Sequence, residues 1–478
     1  MPIWFGLPFD RARPDEETAL GHALAIVAGD ANPHFFHWPS LTFYLFAAGL
    51  AAAPHASVDA QFLIARGIVA AAGTATIAVL YALVRDSADD ATALVAAGLL
   101  AVAPLHVRES HFAMTDVVMT LLLTVALAIY VRARERPAWC AAAGAAAGLA
   151  ASTKYTGAAA LAVLALPPYR PRAMAAFAGA CVVGFLAGTP YALLDGRSFF
   201  GGFGFDVAHL SGGQAFVDVG RGWSYHLWRS LPFGAGVGTF AAAAGGVAVM
   251  ARRRCRPAAA PAAVALALYA ALAPGRTVFF RYVLPIVPLL CAAAAVAVRA
   301  ASTWLSPRIR AGSLVWPLAA VVAIPSAVNS VWLDALLART DTRVIAGRWL
   351  ADHARPDESV YDAGGDYAGA DLRSVAAHRW SVETFDPATG VFRDSGGAVP
   401  DWLVLPESPL VYGSVPPALR EIAASRYTLR ETVAATEGPT DRSVYDVQDA
   451  FFLPLSGFGS VARPGPTIRI YRRAAGSD

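Results

Sequence analysis

Long apolar stretches dominate residues 40–330, and short polar segments separate them. The stretches run for roughly 14 to 20 residues, the length at which a helix approaches or crosses a lipid bilayer. They predict ten membrane spans, at residues 62–84, 92–105, 117–132, 138–152, 156–168, 173–191, 231–251, 257–273, 281–299 and 312–330. The pattern therefore predicts an α-helical polytopic membrane protein.

The pattern changes at about residue 333, beyond which helical and strand signals alternate. "TRVIAGRWLADHA" and "PALREIAASR" have helical periodicity, whereas "ESVYDAG", "DWLVLP" and "TIRIYRR" are typical of strands. We predict three parts: an acidic first loop with an interfacial helix (1–61), a transmembrane bundle (62–332) and a small extracytoplasmic α/β domain (333–478).

Composition supports the membrane assignment, because hydrophobic residues make up 56% of the 478 and charged residues only 15%, against about 25% charged in soluble domains. The four cysteines have no CxxC spacing and lie in or beside apolar segments, so we interpret them as packing residues. The net charge of +3 does not alter this assignment, because the charges of a membrane protein act within individual loops.

The distribution of arginine between loops predicts the orientation. "VRARERP", "PPYRPR", "ARRRCRP" and "VRAASTWLSPRIR" are densely basic and are predicted to be cytoplasmic. The acidic "VRDSADDA" fits the alternation but not the charge rule. Ten crossings then leave residues 1–61 and the tail outside, provided that 40–54 lies in the interface with Trp38, Phe43 and Tyr44 as anchors. The alternative is that 40–54 crosses, which would invert every later loop.

Polar residues that do not mark cytoplasmic ends are predicted to share the extracytoplasmic face. They are the acids Asp15, Glu16 and Asp116, the cations Arg108, Lys154 and Arg281, and the histidines His34, His37 and His111. Lys154 is the only lysine among 38 Lys+Arg residues. Cations at the interface suit an anionic lipid headgroup, and an acid beside them can accept a proton from a hydroxyl. The set predicts group transfer from a lipid phosphate.

Each residue also has an alternative role. Asp116 could cap the helix that follows it, and Lys154 and Arg281 could extend toward phospholipid headgroups. Asp15 and Glu16 could begin a short helix and stabilise its dipole. These alternatives must all hold independently, whereas one site accounts for the whole set.

The order of four motifs resembles that of a known class. "GLPFDRARPDEETALGHALAIVAGDANPHFFHWPSLTFYL", "PLHVRESHFAMTDVVMTLLLTVALA", "GLAASTKYTG" and "FFRYVLPIVPLL" together resemble the GT-C class of polytopic glycosyltransferases. Within that class, they resemble the bacterial protein O-mannosyltransferase-like and aminoarabinose-transferase-like enzymes, which depend on a phospholipid carrier. The resemblance covers roughly residues 3–330 and implies a bundle of about 10 to 11 transmembrane helices.

Such enzymes take a sugar from a polyprenyl phosphate and invert its anomeric centre. By this resemblance Asp15 is the general base, with Glu16 beside it. Asp116 orients the acceptor or, in some relatives, binds a divalent metal. Lys154 meets the lipid phosphate, and Arg281 lines the donor pocket.

Arg108 and His111 are added as substrate-binding candidates because they neighbour Asp116 in the sequence. No cofactor is required with certainty, and a divalent metal stays open. The implied partners are a polyprenyl-phosphate sugar donor, an acceptor glycan, lipid or protein, and the membrane, but no nucleic acid. The implied location is the bacterial inner membrane.

Two departures qualify the resemblance. The chain opens at "MPIWFGLPFD", where relatives have a transmembrane helix before the acidic loop, so we expect either an upstream start or a missing first helix. His37 and Trp38 stand where aminoarabinose enzymes place a lysine, so that sugar specificity is not carried over. Two other functions stay open: a transporter or flippase for a lipid-linked glycan, and a non-catalytic membrane scaffold.

Overall fold

A computed structural model describes residues 2–133, 136–167, 170–310, 312–393 and 398–474. Residues pack into two compact units, one of them Thr18–Val331 and the other Met1–Glu17 together with Trp332–Asp478. We call these the helical unit and the α/β unit. The three-part division predicted from the sequence, with boundaries at residues 61 and 332, stays a prediction beside this grouping by packing.

Helices account for nearly all regular structure up to residue 337. The α-helices are α1 (Glu16–Val27), α2 (Leu41–Ala51), α3 (Val58–Arg85), α4 (Asp90–Ala101), α5 (Pro104–Glu109), α6 (Thr115–Ala133), α7 (Pro137–Ala151), α8 (Pro171–Gly188), α9 (Tyr191–Leu194), α10 (Gly196–Gly212), α11 (Gly222–Tyr225), α12 (Leu231–Ala235), α13 (Val237–Arg252), α14 (Ala259–Leu272), α15 (Val287–Leu305) and α16 (Val315–Leu337). Tyr155–Ala165, Arg256–Ala258 and Phe280–Ile286 are 3₁₀ helices, and His226–Ser230 is a π-helix.

All ten predicted spans contain a helix, which agrees with the multi-pass architecture. Within the described residues, five helical segments are long and apolar enough to cross a bilayer: Val58–Arg85, Thr115–Ala133, Pro171–Gly188, Phe280–Leu305 and Val315–His353. Shorter apolar helices occupy the spans predicted at 92–105, 138–152, 156–168 and 257–273. Helix α2, within 40–54, has 11 residues and extends only about 16 Å, short of the roughly 30 Å hydrocarbon core.

Two sequence expectations need correction. The predicted span 231–251 is not one straight helix, because Gly222–Ala235 and Val237–Arg252 meet at 110°. Gly236 makes this bend with φ 89°, a left-handed conformation that glycine adopts without steric cost. The predicted spans at 173–191 and 231–251 leave residues 192–230 as a long loop, but this segment is largely helical. The Asp195 side chain caps α10 by accepting from the Ser198 amide at 3.3 Å.

Small residues let α7 and α8 approach so closely that their backbones are in contact. A Cβ added at Gly148 would lie 2.0 Å from the carbonyl oxygen of Cys181, and one added at Gly144 would lie 2.1 Å from that of Phe177. Close approach through small residues is the usual way in which membrane helices associate. The Ser152 and Thr189 hydroxyls, 2.8 Å apart, join the C-terminal ends of the pair. This packing holds the end of α7 where the chain enters Lys154.

The α/β unit has a five-stranded sheet in the order β2-β1-β5-β7-β6 and a two-stranded ribbon of β3 and β4. Strand β1 pairs in parallel with β2 and β5, and β7 pairs antiparallel with β5 and β6. The elements are α17 (Thr342–His353), β1 (Ser359–Asp362), α18 (Gly365–Ala368), β2 (His378–Trp380), β3 (Phe385–Asp386), β4 (Val391–Phe392), β5 (Trp402–Glu407), α19 (Pro417–Arg426), β6 (Tyr427–Val433) and β7 (Thr467–Arg473). The predicted small α/β domain is thus present.

The N-terminal segment is built into the α/β unit. The guanidinium of Arg13 lies 2.9 Å from the carboxylate of Asp449, and both side chains are buried. The ring of Phe5 packs edge-on against Phe451, with centroids 5.6 Å apart. The acidic motif that follows therefore starts from an anchored segment.

Candidate active site

A buried ion pair joins two of the predicted site residues. Lys154 Nζ lies 2.6 Å from Asp116 Oδ1, with 14% of the lysine side chain and 1% of the aspartate exposed. Asp116 stands in the first turn of α6, and Lys154 has an extended backbone between α7 and the next 3₁₀ helix. In the described part of the chain, Asp116 Oδ2 is buried without a hydrogen-bond partner. Asp116 thus uses one oxygen to hold the lysine and keeps the other available.

Aromatic rings hold the two predicted donor-pocket cations. Lys154 Nζ lies 4.2 Å from the centroid of the Tyr282 ring, and the guanidinium carbon of Arg281 lies 4.1 Å from that of Phe279. Arg281 is 5% exposed. Cations over ring faces are stabilised by the ring quadrupole. Neither side chain therefore extends freely into a headgroup region, as the alternative interpretation would require.

A row of rings continues from Tyr282 across the helical unit. Phe279 packs on Tyr282, with centroids 5.3 Å apart, and His209 stacks on Phe279 at 6.5 Å. Phe205 stacks on His209 at 5.9 Å and on His37 at 3.8 Å. Sequence reasoning missed this row, although the phenylalanine-rich stretch of α10 was a visible signal. Rings of this kind provide flat apolar surfaces for a sugar face or an isoprenoid chain.

Asp206 is a further acid that the sequence analysis did not name. It lies in α10, and burial raises the pKa of its carboxyl while the positive charge of Lys154 opposes that rise. The side chain is half-buried. Lys154 therefore interacts with two carboxyl groups. It contacts Asp116 directly and interacts with Asp206 through its positive charge.

Arg108 and His111 both form contacts with residues close to them in the sequence. Arg108 Nε donates to Glu109 Oε1 at 2.7 Å, and both side chains are fully buried. His111 Nδ1 lies 2.8 Å from the carbonyl oxygen of Val107. These contacts stabilise the short helix α5 and the turn that leads into Asp116. A substrate role for the two residues stays a prediction.

Asp15 and Glu16 lie in the α/β unit. Asp15 has a left-handed backbone with φ 75°, which aspartate tolerates better than most residues. Helix α1 begins at Glu16, which is fully buried, so the helix-dipole alternative stays open for these acids. The next residue, Glu17, accepts a hydrogen bond from the Tyr367 hydroxyl at 2.9 Å. Burial raises the pKa of Glu17, while a backbone hydrogen bond and the hydrogen bond from Tyr367 oppose that rise and the charges of Asp15 and Glu16 add to it.

The described residues do not fit a divalent metal. They contain no group of three His, Cys, Asp or Glu side chains arranged to hold an ion. One oxygen of Asp116 is already bound to an ammonium group.

Comparison with known proteins places this geometry in context. The family model for dolichyl-phosphate-mannose-protein mannosyltransferases matches residues 51–170, a stretch that contains both Asp116 and Lys154. ArnT from Cupriavidus metallidurans in the apo state is 17% identical, with a TM-score of 0.55, over 98% of this chain and 95% of that one. The same protein bound to undecaprenyl phosphate is 16% identical, with a TM-score of 0.52, over 99% and 96%.

The apo form of the Archaeoglobus fulgidus oligosaccharyltransferase is similar at 12% identity, with a TM-score of 0.52, over 96% of this chain and 85% of that one. No curated protein matches the chain. The chain has the fold of the GT-C class of glycosyltransferases. It is a multi-pass membrane protein whose structural relatives include ArnT and an archaeal oligosaccharyltransferase.

Proposed function

We propose that this protein is an inverting membrane glycosyltransferase that moves a sugar from a polyprenyl-phosphate donor to an acceptor outside the cytoplasm. The observation that carries the proposal is the buried Lys154–Asp116 pair on the aromatic face of Tyr282, in a GT-C fold. A buried ammonium costs free energy unless its charge is balanced. Asp116 balances the ammonium group of Lys154, and 14% of the lysine side chain stays exposed, so the same group can also approach a lipid phosphate.

In the proposed reaction, the acceptor hydroxyl oxygen forms a bond to the anomeric carbon of the sugar. The bond between that carbon and the phosphate oxygen breaks, and its electron pair leaves with polyprenyl phosphate. The resemblance of its motif assigns Asp15 as the base that accepts the hydroxyl proton. A phosphate leaving group needs positive charge rather than a general acid, so Lys154 and Arg281 stabilise the developing negative charge.

Asp116 has two roles in this proposal, one for each oxygen. Oδ1 holds the lysine at 2.6 Å and fixes the position of its ammonium. Oδ2 is buried and lacks a hydrogen-bond partner among the described residues, and a buried acceptor without a donor is costly. A hydroxyl of the bound sugar or acceptor would satisfy it. Asp116 therefore acts as a positioning residue for Lys154 and as a binding residue for substrate.

The test is release of lipid phosphate from membranes incubated with a panel of polyprenyl-phosphate sugars. Undecaprenyl-phosphate sugars come first, because a structural relative is known with undecaprenyl phosphate bound. We expect release with one donor, and its loss in an Asp116→Asn variant. Arg299→Gln, at an exposed ion pair with Asp89, is the matched control. Movement of an intact donor across the membrane without release would contradict the proposal and favour a flippase.

A further inference from the structure

A cavity in the helical unit is lined by residues of α6, α8 and the 3₁₀ helix Tyr155–Ala165. It has a volume of about 360 Å³, and its lining includes Tyr130, Val163 and Phe177. Tyr130 stands 14 residues after Asp116 in the same helix α6, which separates them by about 21 Å along the axis. The volume falls within the roughly 300 to 1,000 Å³ typical of ligand pockets. The cavity is therefore distinct from the candidate active site.

The walls of this cavity are apolar. Phe177 is 2% exposed, and Val163 on the facing 3₁₀ helix is equally buried. The Tyr130 and Phe177 rings pack edge-on with centroids 5.8 Å apart, and the Tyr130 hydroxyl donates to the carbonyl of Val163 at 3.3 Å. Polar groups of the wall are thus engaged with each other. Leu164, Leu166 and Met174 also line the cavity and are partly exposed, so they provide apolar surface for an occupant.

Two arginines line the same cavity. Arg170 precedes the first turn of α8, and Arg256 begins the 3₁₀ turn that leads into α14. Both are solvent-exposed. Pro171 at the start of α8 has no amide hydrogen, but the amides that follow it in this 18-residue helix add positive potential beside the guanidinium groups. The cavity combines an apolar interior with a cationic rim.

We infer that this cavity binds an anionic phospholipid, with its phosphate on Arg170 and Arg256 and an acyl chain against Leu166 and Met174. Basic pockets between transmembrane helices on the cytoplasmic side bind anionic headgroups. Both arginines lie in the loops whose arginine content predicts a cytoplasmic location. The proposal concerns a different cavity from the proposed glycosyl transfer and does not depend on that activity.

The experiment is native mass spectrometry of the full chain in detergent, titrated with dioleoyl phosphatidylglycerol or dioleoyl phosphatidylcholine. The test variant is Arg170→Gln with Arg256→Gln. The matched control is Arg172→Gln with Arg253→Gln, which removes the same charge from the same loops outside the cavity lining. An arginine near an anionic headgroup contributes about five-fold in affinity, so the test variant should lose roughly 25-fold for phosphatidylglycerol. The control should stay close to the parent.

A further variant, Ala173→Phe, fills the cavity and leaves both arginines in place. It should also weaken phosphatidylglycerol binding, and free glycerol phosphate should not compete with the lipid. Equal binding of both lipids, or an unchanged affinity in the Arg170→Gln and Arg256→Gln variant, would overturn the inference. So would a loss of polyprenyl-phosphate binding in Ala173→Phe with phosphatidylglycerol binding intact, because the cavity would then hold the donor chain.

Discussion

The variant Lys154→Arg tests whether Lys154 binds the donor phosphate or only neutralises the charge of Asp116. Lys154 Nζ lies between Asp116 Oδ1 at 2.6 Å and the Tyr282 ring centroid at 4.2 Å. Arginine keeps the positive charge and can still pair with Asp116. Its planar guanidinium is wider than an ammonium and binds best to a matched bidentate partner. We expect Lys154→Arg to fold and to bind the lipid-phosphate donor more weakly.

The magnitude follows from the contact between the ammonium group and the phosphate, which a guanidinium would misplace. A hydrogen bond to a charged group contributes about 1.5 to 3 kcal/mol, which corresponds to roughly 10- to 150-fold in donor affinity. Lys154→Met is a different perturbation, because it leaves the Asp116 carboxylate buried without its partner. Breaking a buried pair in this way costs about 3 to 5 kcal/mol of folding free energy. The arginine variant therefore tests binding, and the methionine variant tests stability.

The assay is equilibrium binding of a short-chain polyprenyl phosphate to purified protein, with thermal unfolding measured in parallel. Arg299→Lys is the control, since it makes the reverse exchange at an exposed pair with Asp89, where surface substitutions change stability by about 0.5 kcal/mol or less. Combining Lys154→Met with Asp116→Asn should recover most of the stability lost in Lys154→Met alone. It should not recover donor binding.

Parent-like donor affinity in Lys154→Arg, at parent-like stability, would refute the reasoning. Lys154 would then serve only to neutralise Asp116, and it would have to be removed from the donor site. If Lys154→Met unfolds no more easily than the parent, the ion pair is not buried as described and the magnitude above fails.

Three further predictions concern the α/β unit. Asp15→Asn should lower turnover by about 10²- to 10⁴-fold with donor binding intact, and Glu16→Gln should lower turnover less. Steady-state rates and donor affinity of both variants check this prediction. Normal turnover in Asp15→Asn would exclude Asp15 as the base. Burial raises the pKa of Asp362 from 3.8 to about 7. The neutral carboxyl group therefore contributes folding stability that is fully present below the unfolded pKa and is lost as the pH rises through about 7. The unfolding temperature should fall over that range, and Asp362→Asn should flatten the profile; an unchanged profile would contradict the assignment. A cysteine at the exposed position Ser374 should react with an impermeant thiol reagent in intact cells, whereas labelling only after lysis would place the α/β unit inside.

Local patterns in the sequence determine where most helices lie. The apolar runs that predict the spans correspond to α3, α6, α8, α15 and α16, because the bilayer requires each crossing segment to be apolar along its own length. Strand and helix signals in the tail are local in the same way, and both element types are present there. The acid Asp116 and the single lysine are also visible as isolated charges in apolar surroundings.

Only the tertiary structure decides which of those charges meet. Asp116 and Lys154 are 38 residues apart, and their contact depends on how α6 and α7 pack. Asp206 lies in a segment interpreted as a loop, and its interaction with Lys154 depends on how α10 folds. The bend at Gly236 interrupts an apolar pattern that is otherwise continuous.

Glu17 is another residue whose partner only the tertiary structure decides. It accepts a hydrogen bond from the hydroxyl of Tyr367, which lies 350 residues further along the chain. Hydropathy and periodicity describe the relation of a residue to its solvent and to its near neighbours in sequence. They contain no term for a partner brought in by long-range packing. The physical reason is that an ion pair or a raised pKa is a property of two or more approaching segments, and their approach is set by the packing of the whole unit.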